Sequence, residues 1–178
     1  MKRIVATALL FGLATPASAA MKLGDIAPTF TAQAAVGGEE FSFSLADALK
    51  KGPVVLYFFP KAFTKGCTAE AHAFAEAAEQ YKAQGATLIG MSADNIETLH
   101  KFSTQECSAK FPVAADPDLK VIKSYDTILT TKSGATVADR ISYVIAPDGK
   151  ITYVYASLDP DKHVENTLAA VKELKQKK

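Results

Sequence analysis

Cys67 is the residue of this chain best suited to nucleophilic chemistry. It follows an apolar run at 54–59 that predicts a buried strand, and it stands where an Ala- and Glu-rich helical segment begins. A thiolate at the start of a helix faces unpaired backbone N–H groups and the positive end of the helix dipole, and both stabilise the charged form. A cysteine in this position is therefore expected to react, whereas one buried within a strand usually would not.

The residues around Cys67 form a recognisable pattern. Pro60, Thr64 and Cys67 give P-x-x-x-T-x-x-C directly after the aromatic-rich strand. This segment closely resembles the active-site segment of peroxiredoxins, and Gly66-Cys67-Thr68-x-Glu70 resembles the bacterioferritin-comigratory or Q-type subgroup. The resemblance extends over nearly all of the chain after position 20. It implies a thioredoxin-like fold and a thiol-dependent peroxidase, of the type that uses a thioredoxin-like donor to reduce hydrogen peroxide and organic hydroperoxides.

The roles that the resemblance implies agree with the chemistry of O–O bond cleavage. That reaction needs a thiolate nucleophile and stabilisation of the charge that develops on the leaving oxygen. Cys67 would supply the thiolate, and the Thr64 hydroxyl could hydrogen-bond both the thiolate and the peroxide. Backbone N–H groups at Gly66 and Cys67 could add donors. Pro60, which has no N–H, could shield the sulfur while keeping its loop rigid.

Arg140 is the distant member of this set. It is the only arginine after position 20, in a chain that otherwise uses lysine. Its guanidinium is permanently charged and fork-shaped. The resemblance implies that it holds Cys67 ionised and stabilises the transition state; a surface arginine is the alternative. Glu70 matches a family position that helps to orient this arginine, although a glutamate in a first turn also simply favours a helix.

Cys107 is the second of only two cysteines, so its role decides how a catalytic cycle would close. Attack on a peroxide leaves a sulfenic acid, which another thiol must resolve. Many Q-type relatives carry a second cysteine where this chain has His72, and some carry one near the middle of the helix that precedes Cys107. Here a helix end would have to unwind to bring the two Cα atoms within about 7 Å. We interpret Cys107 as the resolving cysteine; an inert buried thiol and a permanent disulfide with Cys67 are the alternatives.

The first twenty residues have the features of a secretory signal peptide. Met1-Lys2-Arg3 gives a positive start, 4–13 is a short apolar stretch, and Ala17-x-Ala19 matches a processing site, so cleavage is expected after Ala19 or Ala20. The apolar stretch is shorter than the roughly 20 residues of a membrane-spanning helix. Residues 21–178 are then expected to form one periplasmic domain. A buried N-terminal helix is the alternative.

The remaining segments must hold Cys67 and Arg140 in place. Periodicity, caps and turn residues predict a series of strands, helices and one hairpin. These are strands at 41–43, 54–59, 87–91 and 111–114, helices at 44–49, 67–84, 96–106 and 116–125, a hairpin at 140–155, and a last helix from 161. Other segments, including 126–139, are predicted to be loops. Alternating strands and helices followed by a hairpin and a helix predict an α/β, thioredoxin-like fold with a central mixed sheet flanked by helices. Extra elements of the peroxiredoxin type are expected in front of this fold and in the middle of the chain.

Charge and composition limit the classes of molecule that the protein is expected to bind. A net charge of +1 with scattered lysines gives no surface for nucleic acid. The three histidines have no ligand spacing, so neither a metal nor another cofactor is expected. The expected partners are a peroxide and an exported thioredoxin-like or other thiol reductant, without membrane insertion after signal cleavage. The resemblance implies a monomer or weak dimer.

Two other functions are compatible with parts of the sequence. An exported thioredoxin-like thiol–disulfide oxidoreductase would need a second cysteine three residues after Cys67, where Glu70 stands. A non-catalytic binding module could instead be stapled by a Cys67–Cys107 disulfide. Such a module would leave the arrangement of Pro60, Thr64 and Arg140 without a purpose.

Overall fold

The computed structural model describes residues 20–176, so the predicted signal peptide lies almost entirely outside the described residues. Strands and helices alternate between residues 39 and 130, and further strands precede and follow this part. The strands are β1 (Thr31–Val36), β2 (Glu39–Ser44), β3 (Val54–Phe58), β4 (Thr87–Ser92), β5 (Val113–Ala115), β6 (Ile128–Thr130), β7 (Thr136–Ala138), β8 (Ile141–Ile145) and β9 (Ile151–Ala156). The helices are α1 (Leu45–Leu49), α2 (Lys65–Ala83), α3 (Ile96–Gln105), α4 (Lys120–Ser124) and α5 (His163–Gln176).

Seven of these strands form a mixed sheet in the order β2-β1-β5-β4-β3-β8-β9. The pairs β3–β4 and β4–β5 are parallel, whereas β8 runs antiparallel to β3 and β9 antiparallel to β8. Strands β6 and β7 form a separate hairpin. A mixed sheet with helices on its faces confirms the thioredoxin-like fold that the order of elements predicts.

Strand β3 is apolar on both faces because both faces of the sheet are covered. Leu56 and Phe58 point into one buried cluster, which also contains residues of α1 and α4. Val55 and Tyr57 point into the other, which contains residues of α2, α3 and α5. Each fully buried apolar side chain of this size contributes about 1.5–3 kcal/mol. The strand that leads to the loop before Cys67 is therefore fixed by burial on both sides.

The observed elements agree with the predicted ones, with three exceptions: two elements were not predicted and one helix begins later than predicted. Strand β1 falls in a segment predicted to be irregular, and the β6–β7 hairpin falls in a segment predicted to be a loop. Helix α4 begins at Lys120 and not at Asp116-Pro117, because the Asp116 carboxylate accepts hydrogen bonds from the N–H groups of Lys120 and Ile122. Asp116 thus caps the helix from outside it. None of the helices within 20–176 is long and apolar enough to cross a membrane.

Tyr57 is closely packed at the end of β3, before the loop that leads to Cys67. Its ring stacks on Phe74 with centroids 4.3 Å apart. It also lies against Gly90, where a Cβ would come within 2.7 Å of the ring, so only glycine fits in β4 at that position. In the described part of the chain its buried hydroxyl has no hydrogen-bond partner. Burial raises the pKa of Tyr57 well above its usual value, so the hydroxyl stays protonated.

The unpartnered hydroxyl makes a prediction about stability. Tyr57→Phe removes a buried polar group without removing a hydrogen bond, and should raise the free energy of unfolding by about 1 kcal/mol. The control is Tyr81→Phe, because the Tyr81 hydroxyl lies 2.7 Å from Thr167 Oγ1 and donates to the Val164 carbonyl at 3.0 Å. That variant should lose about 1 kcal/mol in the same urea titration. Equal losses in both variants would contradict the packing described for Tyr57.

Candidate active site

Strand β3 and helix α2 place Cys67 at the junction of a rigid strand and a helix start. The Phe59 N–H still bonds to the Met91 carbonyl at 3.0 Å, and Pro60 then ends the pairing because it has no N–H. Helix α2 begins at Lys65, two residues before the predicted start, so Cys67 is its third residue. The first N–H groups of a helix have no partner within the helix. The Cys67 thiol, 1% exposed, therefore lies in a dry site at the positive end of α2.

The loop between β3 and α2 is held in place by Asp94, which lies just after β4. Asp94 Oδ2 accepts hydrogen bonds from the Ala62 N–H and from Ser92 Oγ, both at 2.8 Å. Phe63 adopts a left-handed backbone conformation with φ of 60°, which non-glycine residues rarely do. Its ring packs edge-on against Phe102 with centroids 5.2 Å apart. These contacts restrict the loop, so the position of the sulfur does not depend on α2 alone.

Thr64 is the N-cap residue of α2, with an extended backbone at φ −85° and ψ 149°. Its hydroxyl donates to the Lys61 carbonyl at 2.9 Å and closes the loop. The structure thus places Thr64 beside the helix start, but the hydroxyl hydrogen is directed to the loop and not to the Cys67 sulfur. A rotation about χ1 would be needed for it to meet an incoming ligand.

The fold brings Arg140 onto Cys67 through the pairing of β8 with β3. Phe58 pairs with Ile141, so the residue just before β8 lies beside the loop that leads to α2. Arg140 is 4% exposed, and its guanidinium Nη2 donates to Cys67 Sγ at 3.4 Å. A Cβ at Gly66 would lie 3.2 Å from that Nη2 atom. Glycine at this position leaves room for the guanidinium over the helix start.

Two further contacts fix the orientation of the guanidinium. Arg140 Nε donates to the Leu158 carbonyl at 2.9 Å, and Nη1 donates to Glu70 Oε2 in a short, fully buried contact. Because α2 begins at Lys65, Glu70 lies beyond its first turn, and its carboxyl group is directed at Arg140. One guanidinium thus joins Glu70 on one side to the Cys67 sulfur on the other.

Burial controls the electrostatics of this group. It raises the pKa of Glu70 to about 8, although the charge and the hydrogen bond of Arg140 pull in the opposite direction. Burial by itself would lower the pKa of Arg140, but the neighbouring Glu70 and Cys67 outweigh it and hold that pKa above its usual value. Arg140 is therefore charged at all ordinary pH values, whereas Glu70 can hold a proton near neutral pH.

His163 is a neighbour of this group that the sequence does not reveal. The imidazole is completely buried, with Nδ1 3.6 Å from Glu70 Oε1 and 2.8 Å from Ser142 Oγ, and with Nε2 2.9 Å from the Ser157 carbonyl. Its sequence context lacks any ligand or catalytic spacing. Only the return of the chain through β8 and β9 brings it behind Glu70.

Cys107 lies apart from the Cys67–Arg140 contact. It is completely buried in the turn after α3, followed by Ser108 and Ala109 with φ of 49° and 57°. Both cysteines are free thiols and belong to the same buried apolar cluster. Burial, with a smaller contribution from Glu106, raises the pKa of the Cys107 thiol far above its usual value. As it stands, Cys107 is a protonated, unreactive thiol.

A polar contact joins the surface of α2 to the end of α3, just before Cys107. His72 of α2, half-exposed, lies with Nε2 2.8 Å from Glu106 Oε2, just before Cys107. His72 therefore occupies the surface of α2 and does not enter the group around Cys67. Among residues 20–176, no three His, Cys, Asp or Glu side chains are arranged to hold a metal ion.

Comparison with known proteins gives consistent matches. Residues 23–154 match the AhpC/TSA family. The chain is 34% identical over 152 residues to peroxiredoxin Q, chloroplastic, of Triticum aestivum, covering 85% of this chain and 67% of that one. It is 32% identical over 157 residues to peroxiredoxin Bcp of Escherichia coli K12, covering 86% and 97%. The crystal structure of peroxidoxin BcpB from Mycobacterium tuberculosis superimposes with a TM-score of 0.77 at 28% identity, covering 86% and 97%.

The raised pKa of Glu70 predicts a pH dependence of stability. Between the ordinary value of 4.5 and about 8 the folded chain holds a proton that the unfolded chain has lost. This component of the free energy of unfolding therefore falls as pH rises through that window, by up to about 1.4 kcal/mol per pH unit. Glu70→Gln, which cannot titrate, should flatten that component in urea titrations across the window.

The matched control for this prediction is Glu76→Gln, because Glu76 is an exposed glutamate on the same helix. It should keep the pH dependence of the unchanged protein. A Glu70→Gln variant whose stability varies with pH as steeply as the unchanged protein would show that Glu70 ionises normally in the folded state.

Proposed function

The chain belongs to the AhpC/TSA family and is a peroxiredoxin of the Q/Bcp type, and from this premise we propose that Cys67 is the thiol with which it attacks peroxides. The observation that carries the proposal is the contact between Arg140 Nη2 and Cys67 Sγ at 3.4 Å in a site closed to bulk water. A buried cation against a buried sulfur favours the thiolate. The enzyme is a thiol peroxidase, and the following steps are what we propose for it.

In the first step the Cys67 thiolate attacks the outer oxygen of the peroxide. The S–O bond forms as the O–O bond breaks, and the leaving alkoxide or hydroxide takes up a proton to become an alcohol or water. Cys67 is left as a sulfenic acid. Arg140 and the free N–H groups at the start of α2 offer preorganised donors where negative charge develops.

Thr64 and Pro60 complete this first step in our proposal. Rotation of the Thr64 side chain away from Lys61 would let its hydroxyl donate to the peroxide oxygen that is attacked. Pro60 is half-buried at the end of β3 and offers no competing N–H donor. Glu70 acts through Arg140, whose position it fixes.

In the second step we propose that Cys107 resolves the sulfenic acid. Its thiol attacks the sulfur of the Cys67 sulfenic acid, the S–O bond breaks with loss of water, and an intramolecular disulfide forms, which an external dithiol then reduces. Support comes from its place in the same apolar cluster and from the turn that carries it. Two consecutive non-glycine residues there have positive φ, a conformation that costs free energy, so local opening of this turn is comparatively easy.

We also propose that the peroxidase acts in the cell envelope. The support is the N-terminal sequence, in which a positive start precedes a short apolar stretch and the Ala17-x-Ala19 pattern. Its electron donor would then be an exported thioredoxin-like or other thiol, and its role would be antioxidant defence in that compartment. Monomers or weak dimers are the proposed state.

Single-cysteine variants test the attack. Cys67→Ser should lose peroxide consumption by the reduced protein, whereas Cys107→Ser should still consume about one equivalent in a single turnover. The matched measurement is peroxide loss after mixing with stoichiometric protein. Equal consumption by Cys67→Ser and the unchanged protein would overturn the assignment of the nucleophile.

Mass spectrometry of the same mixtures separates the possible cycles. The unchanged protein should show an intrachain Cys67–Cys107 disulfide, and Cys107→Ser should show oxygen added at Cys67. A stable sulfenic acid in the unchanged protein, or a disulfide between chains, would rule out Cys107 as the resolving thiol of the same chain. A disulfide already present before peroxide, and resistant to mild reductant, would favour the stapled module.

Processing of the N-terminus tests the location. Expressed at full length in a Gram-negative host, the protein should appear in the periplasmic fraction with a mature N-terminus at Ala20 or Met21. Replacing Ala17 and Ala19 by bulky residues should block cleavage. An unprocessed chain in the cytosolic fraction would contradict export, and would leave the peroxidase assignment untouched.

A further inference from the structure

His163 is a buried titratable group for which the proposed reaction has no use. It is the first residue of α5, with one ring nitrogen facing Ser157 and the other facing Ser142 and Glu70. Because a backbone carbonyl can only accept, the hydrogen bond to Ser157 requires a proton on Nε2. The state of Nδ1 then decides what the imidazole presents to Glu70.

Several features keep Nδ1 unprotonated. Burial lowers the pKa of His163, the charge of Arg140 adds to this effect, and the Ser157 carbonyl and Asp159 oppose it without reversing it. The start of α5 also disfavours a cation there. The groups facing His163 are Glu70 from α2, Arg140 before β8, Tyr155 of β9 at 4.7 Å between ring centroids, and Asp159 from the loop that follows. The Ser142 hydroxyl then donates to the single lone pair of Nδ1, so this nitrogen has no hydrogen to offer Glu70.

The two oxygens of Glu70 have different surroundings. Oε2 accepts from Arg140, whereas Oε1 has no hydrogen-bond partner in the described part of the chain and lies 3.6 Å from Nδ1. Because Nδ1 carries no hydrogen, a negative charge on Oε1 would have no donor to satisfy it. Together with burial, this favours the neutral carboxyl group over the carboxylate.

The protonation of Glu70 matters because Arg140 is shared. An ionised Glu70 would form a buried ion pair with the guanidinium and offset much of its charge. A neutral Glu70 still accepts the hydrogen bond and keeps the guanidinium in place, but leaves the positive charge for the Cys67 sulfur. The unprotonated imidazole therefore influences the Cys67 sulfur indirectly, through the charge states of Glu70 and Arg140, without a change in their positions.

We propose that His163 is a positioning residue of the peroxide-reducing centre, whose unprotonated Nδ1 keeps the buried Glu70 carboxyl neutral and so leaves the charge of Arg140 to the Cys67 sulfur. The inference rests on the proposed function of Cys67. It concerns the ionisation of that sulfur, which can be measured without peroxide.

The test uses the pH dependence of Cys67 alkylation. All variants are made in a Cys107→Ser background, so that Cys67 is the only thiol. His163→Gln has an amide NH2 group with two hydrogens, so it can still donate to Ser157 and can also offer a hydrogen to Glu70 Oε1. It should move the pH midpoint of iodoacetamide alkylation upward by about one unit, a factor of about ten in the ionisation constant. In a Glu70→Gln background the same substitution should leave the midpoint unchanged.

The control for disturbance of α5 is Thr167→Val. It removes the hydroxyl that bonds to the His163 carbonyl at 2.6 Å and to Tyr81, one turn along the helix, without altering the imidazole. Its midpoint should stay at that of the parent. A shift as large as that of His163→Gln would assign the effect to the helix. No shift in His163→Gln, or an equal shift with and without Glu70, would overturn the proposal.

A second measurement covers the case in which His163→Gln does not fold. Infrared spectra of the unchanged protein near neutral pH, compared with Glu70→Gln, should show the C=O stretch of one protonated carboxyl group. Absence of that band would overturn the proposal. Peroxide consumption by Cys67→Ser at the rate of the unchanged protein would instead overturn the proposed function, so the two failures are distinguishable.

Discussion

The centre of this molecule depends on one buried guanidinium. Removing a cation from water costs several kcal/mol unless its donors are satisfied, and the Arg140 donors are satisfied by Leu158, Glu70 and Cys67. These partners lie on the loop after β9 and on α2, while Arg140 itself precedes β8. The packing of β8 and the loop after β9 beside α2 therefore allows the guanidinium to be buried. In our proposal the buried cation in turn favours a thiolate at Cys67.

The backbone around Cys67 is held rigidly, whereas the backbone around Cys107 is strained. Cys67 follows a strand that is buried on both faces, and its loop is tied to Asp94. Cys107 lies in a turn of strained residues at the end of α3. A nucleophile must be held in a fixed geometry to react quickly, whereas a resolving thiol must be able to leave its site. The distribution of rigid and strained backbone agrees with the roles that we propose for Cys67 and Cys107.

Sequence patterns predicted the elements that are determined by neighbouring residues in the chain. The buried strand β3 follows from its unbroken apolar run, α1 from its Ser44 cap, and the hairpin of β8 and β9 from its Pro-Asp-Gly turn. Strand β1 could not be predicted, because its Ala- and Gln-containing sequence becomes a strand only by pairing with β2 and β5. The displaced start of α4 depends on the Asp116 carboxylate, which reaches past the turn that follows it.

The sequence by itself determined which segment we propose as reactive, because Pro60, Thr64 and Cys67 lie within one strand–loop–helix unit and their spacing alone relates them. It also singled out Arg140 by its residue type. Only the tertiary structure decided that the guanidinium lies between Cys67 and Glu70, and that His163 lies behind Glu70. The physical reason is that these contacts join positions far apart in the chain. No local pattern records them, and the pairing of β8 with β3 and the packing of α5 bring them together.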